Sequence, residues 1–114
     1  MTIETASDQV AVLQDAANRA LRAADPHAAR ELFQRAVAVA PKRLDLWMGL
    51  AASQRGAGDL IAALVSVDAA LALEPRSFPA LLMKGSLFEN LGRGAEAAKI
   101  YGVAVQLAPP ATAR

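Results

Sequence analysis

The stretch Leu44–Ser77, LDLWMGLAASQRGAGDLIAALVSVDAALALEPRS, decides the fold. It opens as an apolar helical run holding Trp47 and Leu50, breaks at Gly58-Asp59, resumes from Leu60 and closes at Pro75. Glycine tolerates the left-handed conformation that ends helices, and aspartate accepts the free N–H groups that begin them. Proline disfavours helix at the residue before it. The stretch therefore predicts two helices joined by a tight turn.

Working outward, the same unit recurs on both sides. Pro41, Pro75 and Pro109 are each 34 residues apart. In register with them lie Ala29, Ala63 and Ala97, then Ala36, Ala70 and Ala104, with the bulky Phe33, Val67 and Tyr101 between. Earlier in each unit come Leu13, Trp47 and Leu81, followed by the small Ala17, Ala51 and Gly85. Small residues at matched places let two helices approach, and the bulky neighbours fill the remaining space. One helix pair cannot bury its apolar face, so such units stack into a continuous core.

This pattern resembles the tetratricopeptide repeat family, whose units are helix–turn–helix pairs marked by Trp, Leu-Gly, Tyr, Ala, Phe, Ala and Pro. Val10–Arg43, Leu44–Ser77 and Phe78–Ala111 are read as three repeats after a lead-in over residues 1–9. The fold implied is all-α, an α-solenoid of six antiparallel helices in one domain. The second half, Pro75 to Gly85, is also similar to the repeats that precede bacterial aspartyl/asparaginyl β-hydroxylase-like domains.

In chain order, Ser7 or Asp8 is the expected cap of a first helix reaching about Ala24. Asp25-Pro26 starts a second helix to Val39. The third is expected over Leu44–Ala57, the fourth over Leu60–Leu73, the fifth from Phe78 to about Leu91, and the sixth over Gly94–Leu107. Trp47 is expected in the core. The last helix should leave Val105 and Leu107 partly uncovered, so either a longer native protein or another chain is expected to cover that end.

Composition narrows the function classes. Hydrophobic residues make up 54% of the 114, swollen by alanine, and aromatics only 4%. A net charge of +1 gives no footprint for nucleic acid or an anionic membrane. The N-terminus Met1-Thr2-Ile3-Glu4 lacks the basic start of a signal peptide. The longest apolar run, Leu60–Leu73, holds Asp68 and is too short to span a bilayer. The default is a cytoplasmic protein. There is no cysteine, and His27 is the lone histidine, so no zinc or iron set is expected. Gly56-Ala57-Gly58 and Gly92-Arg93-Gly94 read as turns between helices, not phosphate loops. No cofactor and no catalytic residue is expected.

What remains is binding. The resemblance implies a concave groove lined by the first helix of each pair. Its candidates are Gln14, Asn18 and Arg22, then Asp45, Met48 and Arg55, then Leu82, Met83, Ser86, Glu89 and Asn90. Some family members grip a C-terminal carboxylate with lysine and asparagine; Asn18 matches one of those asparagines. Gln14, Gly49, Pro79 and Met83 depart from the rest, which argues against that ligand. Met48, Leu82 and Met83 with arginines at the rim suit a partly apolar peptide with acidic flanks. On the second helix of the middle repeat, Ile61, Val65, Ala69 and Ala72 form an outward apolar stripe at helical spacing. It is read as a homodimer face or a docking surface. The chain is thus expected to be a protein–protein interaction scaffold; the alternative is a targeting or dimerisation module at the front of a longer enzyme such as a β-hydroxylase-like dioxygenase.

Overall fold

The computed structural model describes residues 5–109. Among them are six helices and no strand: α1 Ala6–Arg22, α2 Pro26–Val39, α3 Leu44–Gly56, α4 Leu60–Leu73, α5 Phe78–Asn90 and α6 Gly94–Leu107. Each helix packs on its neighbour in sequence, so the pairs α1/α2, α3/α4 and α5/α6 stack one after another. The extents are 53 × 33 × 29 Å and the radius of gyration 15.4 Å. A compact 100-residue domain has about 13 Å. The molecule is a short solenoid.

The first helix starts earlier than the sequence reading placed it. Thr5 is its cap: the hydroxyl accepts from the Asp8 N–H at 3.0 Å, while the Asp8 carboxylate accepts from the Thr5 N–H at 3.3 Å. Asp8 is therefore the third helical residue of a capping box, and Ala6 to Gln9 are helical. Residues 1–4 of the expected lead-in lie outside the described residues. At its far end α1 stops at Arg22, two residues short of Ala24.

The turns within the three pairs are built alike. After α3, Gly58 has φ +84°, its N–H donates to Arg55 O, and the Asp59 N–H donates to Gln54 O. After α5, Gly92 has φ +76°, with matching bonds to Glu89 O and from the Arg93 N–H to Phe88 O. After α1 the same bonds run from Ala24 to Leu21 O and from Asp25 to Ala20 O, but the left-handed residue is Ala24, at φ +58°. Alanine pays there for its Cβ. Asp25 and Asp59 then cap α2 and α4 by accepting from the Ala28 and Ala62 N–H groups.

The core follows the repeat. One cluster joins Val10, Ala17, Ala29, Phe33, Ala36, Val37, Leu46 and Leu50; a second joins Ala51, Ala63, Val67 and Leu87. The rings fix how closely the helices sit. A Cβ added at Gly49 of α3 would lie 2.4 Å from the Phe33 ring, and one at Gly85 of α5 would lie 2.5 Å from the Tyr101 ring. Only glycine fits either place. The one buried polar pair linking α3 to α4 is satisfied, the Ser66 hydroxyl donating to Gln54 Oε1 at 2.6 Å. Trp47 departs from expectation. It is half-buried against the first cluster, and its indole N–H donates to Pro41 O at 2.8 Å, pinning the inter-repeat turn.

Two stability changes follow. Ala24→Gly should raise unfolding free energy by about 0.5–1 kcal/mol in urea titration, because the left-handed cost of about 1–2 kcal/mol exceeds the added entropy of glycine. Trp47→Ala should cost about 2–3 kcal/mol, below the 3–5 kcal/mol of a fully buried tryptophan. A loss under about 1 kcal/mol would mean the indole contributes neither packing nor its hydrogen bond.

Candidate interaction surfaces

The residues singled out on the first helix of each pair fall at matched places. Gln14, Met48 and Leu82 share one register position, as do Leu21, Arg55 and Glu89. On α1 the spacing Gln14, Asn18, Arg22 makes one stripe, and Asn18 and Arg22 are exposed. On α3, Met48 and Arg55 are half-buried; on α5, Leu82 and Asn90 are exposed and Ser86 half-buried.

Two of the candidates are tied up with each other. Gln14 Nε2 donates to Asp45 Oδ2 at 2.8 Å, and Arg43 donates to Asp45 Oδ1 and Oδ2 at 2.9 and 2.7 Å. Arg43 also donates to Gln14 Oε1 at 3.1 Å. The guanidinium holds the Asp45 carboxyl below the usual carboxylate range, and Gln14 adds to this. This network bolts α1 to α3 at the rim. Arg43, one of the arginines expected near the rim in the connecting turns, joins this network from 29 residues beyond Gln14.

Met83 is the second departure. Expected at the groove floor, it is half-buried and packs on the second core cluster. Its thioether sulfur instead receives Arg55 Nη1 at 3.7 Å. Gly49, read above as a place where a ligand-gripping asparagine is missing, is the seat of the Phe33 ring. Glu89 accepts the Tyr101 hydroxyl at 2.6 Å, which raises the Tyr101 pKa, while the nearby Arg55 charge pulls it the other way. Arg55, Met83, Glu89 and Tyr101 thus form one cluster where α3, α5 and α6 meet. Among the described residues, no carboxylate lies within 4.0 Å of the Arg55 guanidinium.

The outer stripe of α4 stands out to solvent. Ile61 is 60% and Val65 65% exposed; Ala72 is exposed and Ala69 half-buried. Leu73, which the sequence reading passed over, is exposed at the end of the same helix. Asp68, the charge beside the stripe, forms an ion pair with Lys84 of α5 at 2.8 Å. At the chain's far end Val105 is 69% exposed and Leu107 half-buried. Among the described residues no helix is long and apolar enough to cross a membrane.

Comparison with solved structures agrees with this architecture. A MamA point mutant superposes with a TM-score of 0.83 at 20% identity, over 90% of this chain and 75% of that one. The first tetratricopeptide repeat domain of the human RPAP3 protein gives 0.82 at 20% identity, over 89% and 80%. Another MamA chain gives 0.80 at 19%, over 86% of this chain but only 54% of its own length. At such identities the likeness is one of fold, and none of the three carries a likeness to β-hydroxylase-like proteins. A search of curated protein sequences gives no significant match. In the comparison with protein families, a tetratricopeptide repeat model matches residues 15–68 and again 53–112. Six paired helices on a 34-residue period and two overlapping matches across most of the sequence agree: the chain belongs to the tetratricopeptide repeat family.

Proposed function

We propose that the chain is a non-catalytic scaffold that holds a partly apolar, acid-flanked peptide segment in its concave groove. Repeat stacks of this kind present extended concave surfaces for partners. The observation that carries the finer reading is Arg55. The residue is half-buried, and its guanidinium donates to a thioether where a carboxylate would be the better partner. Withdrawing a cation from water is costly unless an opposite charge meets it. A carboxylate of the peptide would supply that charge with a charge-assisted hydrogen bond.

The neighbouring positions suit the rest of such a ligand. Met48 and Leu82 give apolar contact at one register position, and methionine adapts to differing side chains. Asn18, Ser86 and Asn90 offer amide and hydroxyl groups able to bond an extended backbone. Gln14 and Asp45, already held by Arg43, serve as the wall of the groove and not as ligand contacts.

The test is calorimetric titration with two peptides sharing a leucine-rich centre, one flanked by glutamates and one by lysines. The acidic peptide should bind more tightly. Arg55→Glu should weaken it by about tenfold or more, or about 1.4 kcal/mol, without changing the melting curve. Equal affinity of the two peptides for the unaltered protein would remove the groove from this role.

A further inference from the structure

The second helices α2, α4 and α6 begin at Pro26, Leu60 and Gly94, so residues 34 apart stand at the same height on each. Glu31 of α2, Val65 of α4 and Lys99 of α6 share one such position, and all three are exposed. On α4 the residues that flank Val65 on its outward side, Ile61 and Ala72, are exposed and uncharged. Asp68, at the edge of this stripe, is already neutralised by Lys84 at 2.8 Å. Glu31 and Lys99 are different. Among the described residues, neither lies within 4.0 Å of an opposite charge. Arg35, one turn beyond Glu31 on α2, makes no ion pair with it, and Glu96, the acid nearest Lys99 in sequence, is taken by Arg93. An unpaired acid and an unpaired base thus flank an apolar ridge at one height.

We propose that this ridge is covered by α4 of a second copy of the chain, the two helices parallel about a two-fold axis that runs along them. Such an axis lays Val65 on its own counterpart and Ile61 on its own. It also carries α2 of one copy over α6 of the other, because rotation about α4 exchanges the two flanks. Glu31 then meets Lys99 of the second copy, and Lys99 meets its Glu31. The contact is isologous, as a two-fold dimer requires. Each copy supplies the charge that the other leaves unpaired. The remaining outward cations of α2 meet no like charge: His27 falls opposite Ala95 and Arg35 opposite Val103.

The same charges reject the other two-fold arrangement. With the axis across the helices at Val65, α4 would lie antiparallel to α4, with α2 on α2 and α6 on α6. Glu31 would then face Glu31, and Lys99 would face Lys99. Like charges set against each other across an interface suppress that arrangement. A partner of unrelated sequence would have to carry its own base and acid, in the opposite order, on either side of an apolar ridge. The chain already carries that pattern. The ion pairs lie at the solvated rim, where charge fixes partner and register more than affinity. The apolar centre is one helix face, at the small end of specific interfaces, so the dimer fills with rising concentration.

The experiment is light scattering on the whole chain from micromolar to millimolar concentration. The weight-average mass should rise toward twice that of the monomer. Val65→Glu should hold it at the monomer value while circular dichroism and melting stay unchanged, since the residue is exposed. Glu31→Lys and Lys99→Glu should each weaken the dimer by about tenfold or more, because both rim pairs become like-charged. The double exchange, Glu31→Lys with Lys99→Glu, should restore it, since opposite charges meet again. A monomer at every concentration would overturn the proposal. So would a dimer that survives Val65→Glu, or single exchanges that leave it unchanged. A double exchange that fails to restore the mass would mean that the two charges do not face each other across copies, and would overturn it too.

Discussion

Two rings seated on two glycines set the spacing of this solenoid. Phe33 reaches from α2 onto Gly49 of the following pair, and Tyr101 reaches from α6 onto Gly85 of its own pair. A methyl group at either glycine would penetrate the ring, so the helices can sit this close only where the side chain is missing altogether. The middle repeat solves the same problem with the sizes exchanged. Val67 stands where Phe33 and Tyr101 stand, and Met83 stands where Gly49 stands; both belong to the second core cluster. A large residue facing glycine and a small residue facing methionine conserve the volume between successive pairs. Interiors packed to crystal density demand such compensation.

That exchange explains which parts were legible in the sequence. The period, the six helices and the turns at Gly58 and Gly92 depend on residues within one unit or on identical residues one unit apart. They could be read by aligning the chain with itself. The cap of α1 could not be read as well, because Thr5, Ser7 and Asp8 are all competent acceptors, and only the backbone shows which one precedes the first helical turn. Ala24 was invisible for a different reason. Its left-handed φ of +58° appears only once it is seen to occupy the place of Gly58 and Gly92.

The binding surface was harder, and the physical reason is separation along the chain. Gln14 meets Asp45 across 31 residues, and Arg55 meets Met83 across 28. Such pairs depend on how far each unit rotates on the last, which no local pattern encodes. A residue at one of these matched positions stands exposed, ties two helices together, or packs on the core. Asn18, Asp45 and Met83 represent these three outcomes. The exposure of Ile61 and Val65 was legible because it follows from position on one helix relative to that helix's own buried alanines, Ala63 and Ala70.

Core and groove are consequently not independent. The sulfur that receives Arg55 belongs to Met83, and Met83 is long because Val67 behind it is short. The contact of Arg55 with that sulfur thus depends on a size relation within the core. On the other side of the same junction, Tyr101 fills the hollow over Gly85 with its ring and spends its hydroxyl on Glu89. That hydrogen bond engages the carboxylate that stands at the Arg55 register position one repeat on, and among the described residues no carboxylate lies within 4.0 Å of the Arg55 guanidinium. Packing of the third pair therefore does two things at once. It closes the core with Tyr101, and it engages the Glu89 carboxylate with the Tyr101 hydroxyl beside Arg55.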